Sequence, residues 1–204
     1  MVQLTGVLLY PLMENTPAGG ALFGAFGIVV LALALWVVNR SPADNWIAWS
    51  LAVPSVLLSV SAAMFASLDL LVFAHLLEGA LYFYTAFSLI AYMLQDHEVS
   101  ADELYAAGAT FTLLAWGFAF AFSVCQQWYP GSFSVGGQIL AQCSWMQLLF
   151  VSFSNLSGVG LSDVVPVLAQ ARALVMLGQF AGVMYIALVV SRLIGLSVLR
   201  RDRQ

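Results

Sequence analysis

The sequence predicts an all-α membrane protein with five to six transmembrane helices and one segment that enters the bilayer without crossing it. Three observations predict this fold class: the composition, the length of the apolar segments, and a glycine-rich stretch between the last two of them. Hydrophobic residues make up 62% of the 204 residues, charged residues only 8%, and the mean hydropathy is +0.96. Because soluble domains carry about 25% charged residues, this composition excludes a disordered chain, a nucleic-acid-binding protein and an ordinary soluble enzyme.

Five apolar segments are long enough to cross a bilayer core of about 30 Å, which takes about 20 helical residues. A sixth segment, residues 2–13, is short and contains Pro11, so it either crosses marginally or lies at the interface. The first residues lack a basic region and a small-residue cleavage site, so we expect no signal peptide. The five long segments are residues 18–38, 46–66, 70–94, 104–125 and 168–199.

The arginines predict the orientation, since positive residues flanking membrane helices favour the cytoplasmic side. Arg200, Arg201 and Arg203 directly follow the last segment, which predicts a cytoplasmic C-terminus. Counting back through the segments places Arg40 and residues 95–103 on the same side, so the assignments agree. We expect a multi-pass protein of a plasma membrane, with the bacterial inner membrane as the first choice.

Residues 128–167 are not a simple membrane span. They begin with loop residues, continue with an apolar stretch over 145–153 that is too short to cross, and then become rich in Gly and Ser over 154–163. Irregular backbone at membrane depth is tolerated only where it is buried in protein or lines a watery cavity. The pattern therefore predicts a re-entrant pore helix that enters from outside, followed by a returning strand between two full helices.

The order of these residues resembles a known family. Residues 152–166 read SFSNLSGVGLSDVVP and align without a gap to the pattern SFxTLTT(L/V)GYGDxxP of the small bacterial potassium-channel pore domain. The resemblance covers about 104–199 and divides the chain into N-terminal transmembrane helices, 1–98, and a pore domain, 99–204. It implies a tetrameric cation channel, most simply a homotetramer, that conducts potassium.

The resemblance implies a selectivity filter in which backbone carbonyls from four copies replace the hydration shell of the ion. The family filter reads TVGYG, and three of its five positions differ in this chain. The change makes weak potassium selectivity, or sodium permeation, a variant of the prediction, with potassium or sodium as the ion and no organic cofactor. The filter positions are Gly158, Val159, Gly160, Leu161 and Ser162.

Three further positions take roles from the resemblance. Asp163 would add negative charge to the pore mouth, and Arg172 would be its partner or a second mouth residue. Gly182 falls at the hinge of the inner helix and would serve gating. The simultaneous loss of Thr, Tyr and the second Gly from the filter favours an alternative: a non-conducting subunit with a channel fold that assembles with or regulates a partner.

Two residue pairs outside the filter leave alternatives open. His75 and Glu78 lie three apart on one helix face, so they form either a proton-sensing pair or a structural contact between helices. Cys125 and Cys143 lie on the predicted outer side, where they form either a disulfide or two buried thiols.

Two classes of function find no support in the sequence. Residues 70–94 contain no Arg, so we expect no strong voltage gating from that helix. Zinc-type Cys and His spacings and nucleophile motifs are absent from the sequence, so we expect no enzymatic activity.

Overall fold

The computed structural model describes residues 2–14, 27, 29–30, 32–33, 45–65, 67–95 and 101–201. The predicted span over 18–38 falls mostly outside the described residues, and Arg40 and residues 96–100 lie wholly outside them. The described helices are α1 (Val2–Glu14), α2 (Asn45–Phe65), α3 (Leu68–Gln95), α4 (Ala101–Trp128), α5 (Trp145–Leu156) and α6 (Ala169–Arg201). The described strands are β1 (Phe133–Val135), β2 (Gln138–Leu140) and β3 (Val164–Pro166).

Four of the described helices are long and apolar enough to cross a membrane. Their membrane stretches agree with four of the five predicted spans, and the short α5 lies between the last two of them. The predicted class, an all-α membrane protein, is therefore confirmed for the helices. The four stretches are Trp46–Phe65, Leu68–Leu94, Tyr105–Trp128 and Ala169–Val189.

Helix α1 covers the short N-terminal segment. Its 13 residues extend about 20 Å, less than the thickness of the hydrocarbon core. Its Gln3 side chain is buried, and Gln3 Oε1 accepts a hydrogen bond from the Thr112 hydroxyl of α4. This bond pairs a polar group that would otherwise be buried alone, so α1 is anchored to α4.

Helix α3 packs between α2 and α4, and the contact with α4 is the most extensive between elements in the described part of the chain. Glycines allow the two helices to approach, as in other membrane helix pairs. A Cβ at Gly79 would lie 3.2 Å from Phe120 Cβ, and one at Gly117 would lie 3.1 Å from the Phe83 ring. Small residues on each helix thus receive aromatic residues from the other.

A three-stranded antiparallel sheet joins the chain before α5 to the chain after it. The strand order is β2-β1-β3, with Phe133 opposite both Leu140 and Pro166. Gly136 and Gly137 form the two-residue hairpin loop with φ of +56° and +84°, and such loops need positive φ at both positions. The sequence predicted only a loop and a single returning strand here, so the small sheet adds to the predicted all-α fold without changing its class.

Candidate functional site

The re-entrant helix α5 starts at a capping box. Gln147 N donates to Ser144 Oγ at 3.4 Å, and Ser144 N donates to Gln147 Oε1 at 2.8 Å. This reciprocal pair satisfies two backbone donors that would otherwise be orphaned at the helix start. The Ser-x-x-Gln spacing is visible in the sequence and marks the start of α5. The helix ends at Leu156, three residues beyond the predicted apolar stretch.

Two contacts show how deeply α5 enters. Ser152 Oγ donates to the Ala115 carbonyl of α4 at 2.6 Å, near the middle of that membrane stretch. At the end of α5, the backbone of Leu156 lies against Gly182, where a Cβ would overlap the Leu156 carbonyl oxygen. Gly182 lies about 20 Å along α6 from its first residue. Helix α5 therefore ends at membrane depth, with its negative dipole end there.

The chain after α5 folds back on the end of that helix. Ser157 N donates to the Phe153 carbonyl at 2.9 Å, and Gly158 N donates to the Asn155 carbonyl at 3.1 Å. Gly160 N then donates to the Ser154 carbonyl at 3.0 Å. Gly158 and Gly160 have φ of +75° and +69°, a region that glycine adopts without steric penalty. The two glycines in alternate positions thus allow a tight return.

The carbonyls of Gly158, Val159, Gly160 and Leu161, the first four predicted filter positions, are not equivalent. The Leu161 carbonyl accepts a hydrogen bond from Ser154 Oγ at 2.6 Å, which turns it towards α5. Within the described part of the chain, the carbonyls of Gly158, Val159 and Gly160 accept no hydrogen bond. The Val159 and Leu161 side chains are 70% and 72% exposed in the single chain. Three successive carbonyls are therefore available to a ligand, and the fourth is held.

The outer end of the loop is fixed to the sheet. Ser162 Oγ accepts a hydrogen bond from Val164 N at 3.0 Å, and Gly136 N donates to the Asp163 carbonyl at 3.2 Å. Asp163 itself is exposed. Arg172 Nε donates to the Pro166 carbonyl at 3.3 Å. No ion pair joins Arg172 to Asp163 among the residues that the structure describes, and the role of Arg172 at a pore mouth stays a prediction.

The sequence analysis missed a side-chain bridge between α5 and α6. Gln179 Nε2 donates to Asn155 Oδ1 at 2.8 Å, and Asn155 Nδ2 donates to the Val151 carbonyl at 2.8 Å. Asn155 is buried, so its amide needs these partners. The bridge holds the end of α5 to α6, the helix that contains Gly182. Because the two residues lie on different elements, their pairing gives no local sequence signal.

His75 and Glu78 bind different helices. His75 Nδ1 lies 3.0 Å from Ser123 Oγ on α4, and Glu78 Oε1 accepts a hydrogen bond from Ser59 Oγ of α2 at 2.8 Å. No bond between His75 and Glu78 occurs in the described ranges. The arrangement agrees with the structural alternative, with each residue making its own contact between helices. Their role in proton sensing stays a prediction.

The two cysteines are free, buried thiols, which corrects the disulfide alternative. Cys125 Sγ lies 3.7 Å from Ser132 Oγ. The backbone of Cys143 is held by Gln126, whose Oε1 accepts from Cys143 N at 2.7 Å and whose Nε2 donates to its carbonyl at 3.2 Å. Burial raises the pKa of the Cys143 thiol, and the nearby charge of Asp163 raises it further. The thiol at position 143 is therefore protonated and unreactive at neutral pH.

Comparison with known proteins identifies the second half of the chain. Residues 104–197 match the family model described as ion channel. No curated protein and no solved structure matches the chain. The matched segment contains most of α4, all of α5 with its return loop and sheet, and most of α6, so it coincides with the site described above. Through this segment, which is less than half of the 204 residues, the chain is similar to the ion-channel family, and its four long apolar helices agree with a membrane protein.

Proposed function

We propose that the protein is a tetrameric cation channel that conducts potassium through the loop after α5. One chain contributes one such loop, and a pore lined by backbone carbonyls needs several copies around an axis. Four copies would place rings of the Gly158, Val159 and Gly160 carbonyls along that axis. The membrane stretch of α6 would line the inner cavity, with Gly182 as the gating hinge and the C-terminus in the cytoplasm of a bacterial inner membrane.

One observation carries the proposal: among the described residues, three successive carbonyls beside the C-terminal end of α5 accept no hydrogen bond. The Leu161 carbonyl that follows them accepts from the Ser154 hydroxyl, but no donor in the described part of the chain reaches these three. The C-terminal end of a helix carries about half a negative charge, and carbonyl oxygens are ligands for hard cations. A cation would therefore satisfy both the free oxygens and the helix end, whereas an anion would be repelled by both.

The held Leu161 carbonyl supports weaker selectivity than the family pattern implies. The Ser154 hydroxyl already occupies this carbonyl at 2.6 Å, so a fourth ring of oxygens would be incomplete. Fewer complete rings replace less of the hydration shell of the ion. We therefore propose a potassium conductance with appreciable sodium permeation, and a pore mouth whose cation concentration is raised by Asp163.

A second candidate, a non-conducting subunit with a channel fold, is favoured by the same loop. The Leu161 carbonyl is turned away, and the Val159 and Leu161 side chains stand exposed. If these apolar side chains met at the axis of the assembly, they would block the path of an ion along that axis. Such a chain would act by assembling with a partner.

Flux measurements on the purified protein in liposomes separate the two candidates. Gradients of potassium and of sodium are compared in parallel, and cross-linking reports the number of copies in the assembly. A tetramer that passes potassium faster than sodium supports the channel. An intact tetramer that passes neither cation contradicts it and supports the non-conducting subunit.

The variant Gly160→Ala tests the loop directly. Because Gly160 has a φ of +69°, a side chain there strains the backbone by about 1–2 kcal/mol, and we expect flux to fall about 5–30-fold. Gly108→Ala is the matched control, since Gly108 lies within helix α4 and a Cβ there meets nothing within 4 Å. Equal flux through both variants, each shown to be tetrameric, would contradict the proposed conduction path.

A further inference from the structure

Tyr185 is the last residue of α6 that the described part of the chain encloses. Its side chain is 7% exposed, and its hydroxyl donates to the Ala107 carbonyl of α4 at 2.5 Å. The Thr110 side chain also lies beside that hydroxyl, and the Tyr185 ring centroid lies 6.3 Å from that of Phe111. Beyond Tyr185, every residue of α6 whose burial the structure describes is exposed or half-buried. Within the described side chains, the C-terminal part of α6 (residues 183–201) is therefore buried only at Tyr185.

The preceding turn of α6 is held by a different helix. Gln179 donates to Asn155 of α5 at 2.8 Å, and Gly182 lies against the backbone of Leu156, where a Cβ would overlap the carbonyl oxygen. Tyr185 follows Gly182 within one helical turn. Two successive turns of α6 are thus fixed by two neighbours, first by α5 and then by α4. If the contact with α4 is released, the C-terminal part of α6 can change its position while the contact with α5 is kept.

A cavity of about 350 Å³ borders Tyr185 between α3, α4 and α6. Its lining is almost wholly apolar and includes Ala181 and Leu188 of α6 and Ile90 of α3. Protein interiors are otherwise close-packed, with few voids larger than a water molecule. Because this space lies beside the C-terminal part of α6, that part can shift towards α3 without displacing packed side chains.

Releasing Tyr185 from Ala107 costs little free energy. In an α-helix the carbonyl of residue 107 also accepts from the N–H of residue 111, and a carbonyl oxygen has two lone pairs. The carbonyl therefore keeps a partner when Tyr185 leaves, and the tyrosine hydroxyl alone loses one. Side-chain hydrogen bonds between membrane helices are weak, and their average strength corresponds to about threefold in an equilibrium. Such a bond favours one position of α6 without excluding another.

We infer that Tyr185 is a positioning residue that sets where the C-terminal part of α6 lies. When its hydroxyl bonds the Ala107 carbonyl, this part rests on α4. When the bond breaks, the same part shifts about Gly182 into the cavity, towards α3. The inference rests on the proposed function for its consequence. If α6 lines the pore, α3 lies farther from the axis than α6 does, and the shift widens the inner entrance.

Distances between two spin labels test the inference without ion conduction. Ala91→Cys on α3 and Ala187→Cys on α6 place the labels at exposed positions near the same end of both helices, outside the cavity lining. The chain without these two substitutions controls for labelling of the native thiols. We expect double electron–electron resonance to resolve two distances, and Tyr185→Phe to raise the ratio of the shorter to the longer one about threefold. Tyr105→Phe on α4 is the matched control, because Tyr105 is 64% exposed, and it should leave the ratio unchanged.

A cavity-filling variant tests where the C-terminal part of α6 goes. Ala181 lines the cavity, whereas Val183 is an exposed residue of the same helix outside it. Added to the Tyr185→Phe chain, Ala181→Phe should remove the shorter distance, and Val183→Phe should keep it. Persistence of the shorter distance with Ala181→Phe would contradict a shift into the cavity. A wild-type ratio in Tyr185→Phe alone would overturn the inference whether or not the Ala181→Phe chain folds, and a lowered melting temperature with that ratio would assign Tyr185 a structural role only.

Single-channel recordings separate this inference from the proposed function. We expect Tyr185→Phe to raise the ratio of open to closed time about threefold and to leave the single-channel conductance unchanged, since the loop after α5 is unaltered. A shifted distance ratio in a protein that passes no cation would contradict the proposed function and support the role of Tyr185. An unchanged distance ratio in a protein that conducts would overturn the role of Tyr185 and leave the proposed function standing.

Discussion

The contact between α3 and α4 and the contact between α5 and α6 both depend on glycine, but they place different groups against it. Gly117 faces the ring of Phe83, and Gly79 faces the Cβ atom of Phe120, whereas Gly182 faces the backbone of Leu156. A ring can rotate or shift by a few tenths of an ångström, but a backbone at the end of a buried helix has nowhere to move. The comparison teaches that α4 packs on α3 through side chains, whereas α5 packs on α6 through its backbone.

Hydrogen bonds follow the same division. On α3, His75 and Glu78 each bond one hydroxyl of a neighbouring helix. In the pore half of the chain, from α4 to α6, side chains bond backbone carbonyls or each other where the chain turns. The Ser154 hydroxyl donates to the Leu161 carbonyl, and the Gln179 amide donates to Asn155. Directional bonds to backbone position a loop that apolar packing alone would leave free to slide. We therefore expect substitutions in the pore half to have the larger effects.

The largest expected effect is that of Gly182→Val. Its side chain would overlap the Leu156 carbonyl, so α5 and α6 would have to separate, at about 3 kcal/mol. We expect loss of the proposed tetramer, or a fall in the melting temperature of the protein, measured by thermal denaturation in detergent. Gly178→Ala is the matched control, because a Cβ there lies 3.5 Å from the Phe118 ring in ordinary contact. Similar melting temperatures for the two variants would contradict the claim that the contact of Gly182 with the Leu156 backbone is less tolerant than the contact of Gly178 with the Phe118 ring.

Next in size is Ser154→Ala. The Ser154 hydroxyl donates to the Leu161 carbonyl at 2.6 Å. Removing the hydroxyl frees the carbonyl oxygen to face the proposed pore, and the lost hydrogen bond lowers stability by about 1 kcal/mol. We expect the permeability ratio of potassium to sodium, measured as reversal potential in planar bilayers, to rise about threefold. Ser152→Ala removes a hydroxyl of the same helix that bonds the Ala115 carbonyl, and it should lower stability without changing the ratio. A ratio that stays level or falls in Ser154→Ala would contradict the role given to Leu161.

Asp163→Asn should have a smaller effect that depends on salt. The exposed carboxylate lies beside the loop, and its field extends about 30 Å at 0.01 M ionic strength but about 10 Å at 0.1 M. We expect cation flux into liposomes to fall about twofold at low salt and to match the wild type at high salt. If the variant and the wild type had equal flux at low salt as well as at high salt, the result would argue against a charged pore mouth.

Glu78→Gln should have the smallest effect of the four. Glutamine keeps an oxygen that accepts the Ser59 hydroxyl, which lies 2.8 Å from Glu78 Oε1. We expect the melting temperature and the flux to change little at neutral pH, by less than about 1 kcal/mol. Glu78→Leu breaks the bond and serves as the contrasting variant. A flux that loses its pH dependence in Glu78→Gln would instead support the predicted proton-sensing role of Glu78.

Much of the pore half was predictable because its signals are local. The apolar length of 104–125 and 168–199 predicts helices that cross, and the short apolar stretch over 145–153 predicts one that does not. Gly158 and Gly160 predicted a returning loop, and both have positive φ. The sheet was not predicted, since strands of three residues have too few positions to show an alternating pattern. The Asn155–Gln179 bridge was not predicted either, since the two residues lie 24 apart.

By itself, the sequence determined that this protein is built for a membrane, which segments are long enough to cross it, and where the backbone turns within it. Those properties depend on the apolar length and the residue type at each position. Only the tertiary structure decided which carbonyls of the loop stay free, that His75 and Glu78 bond different helices, and that Gly182 lies against Leu156. Those outcomes depend on which groups come into contact when separate helices pack, and the spacing of residues along the sequence does not predict such contacts.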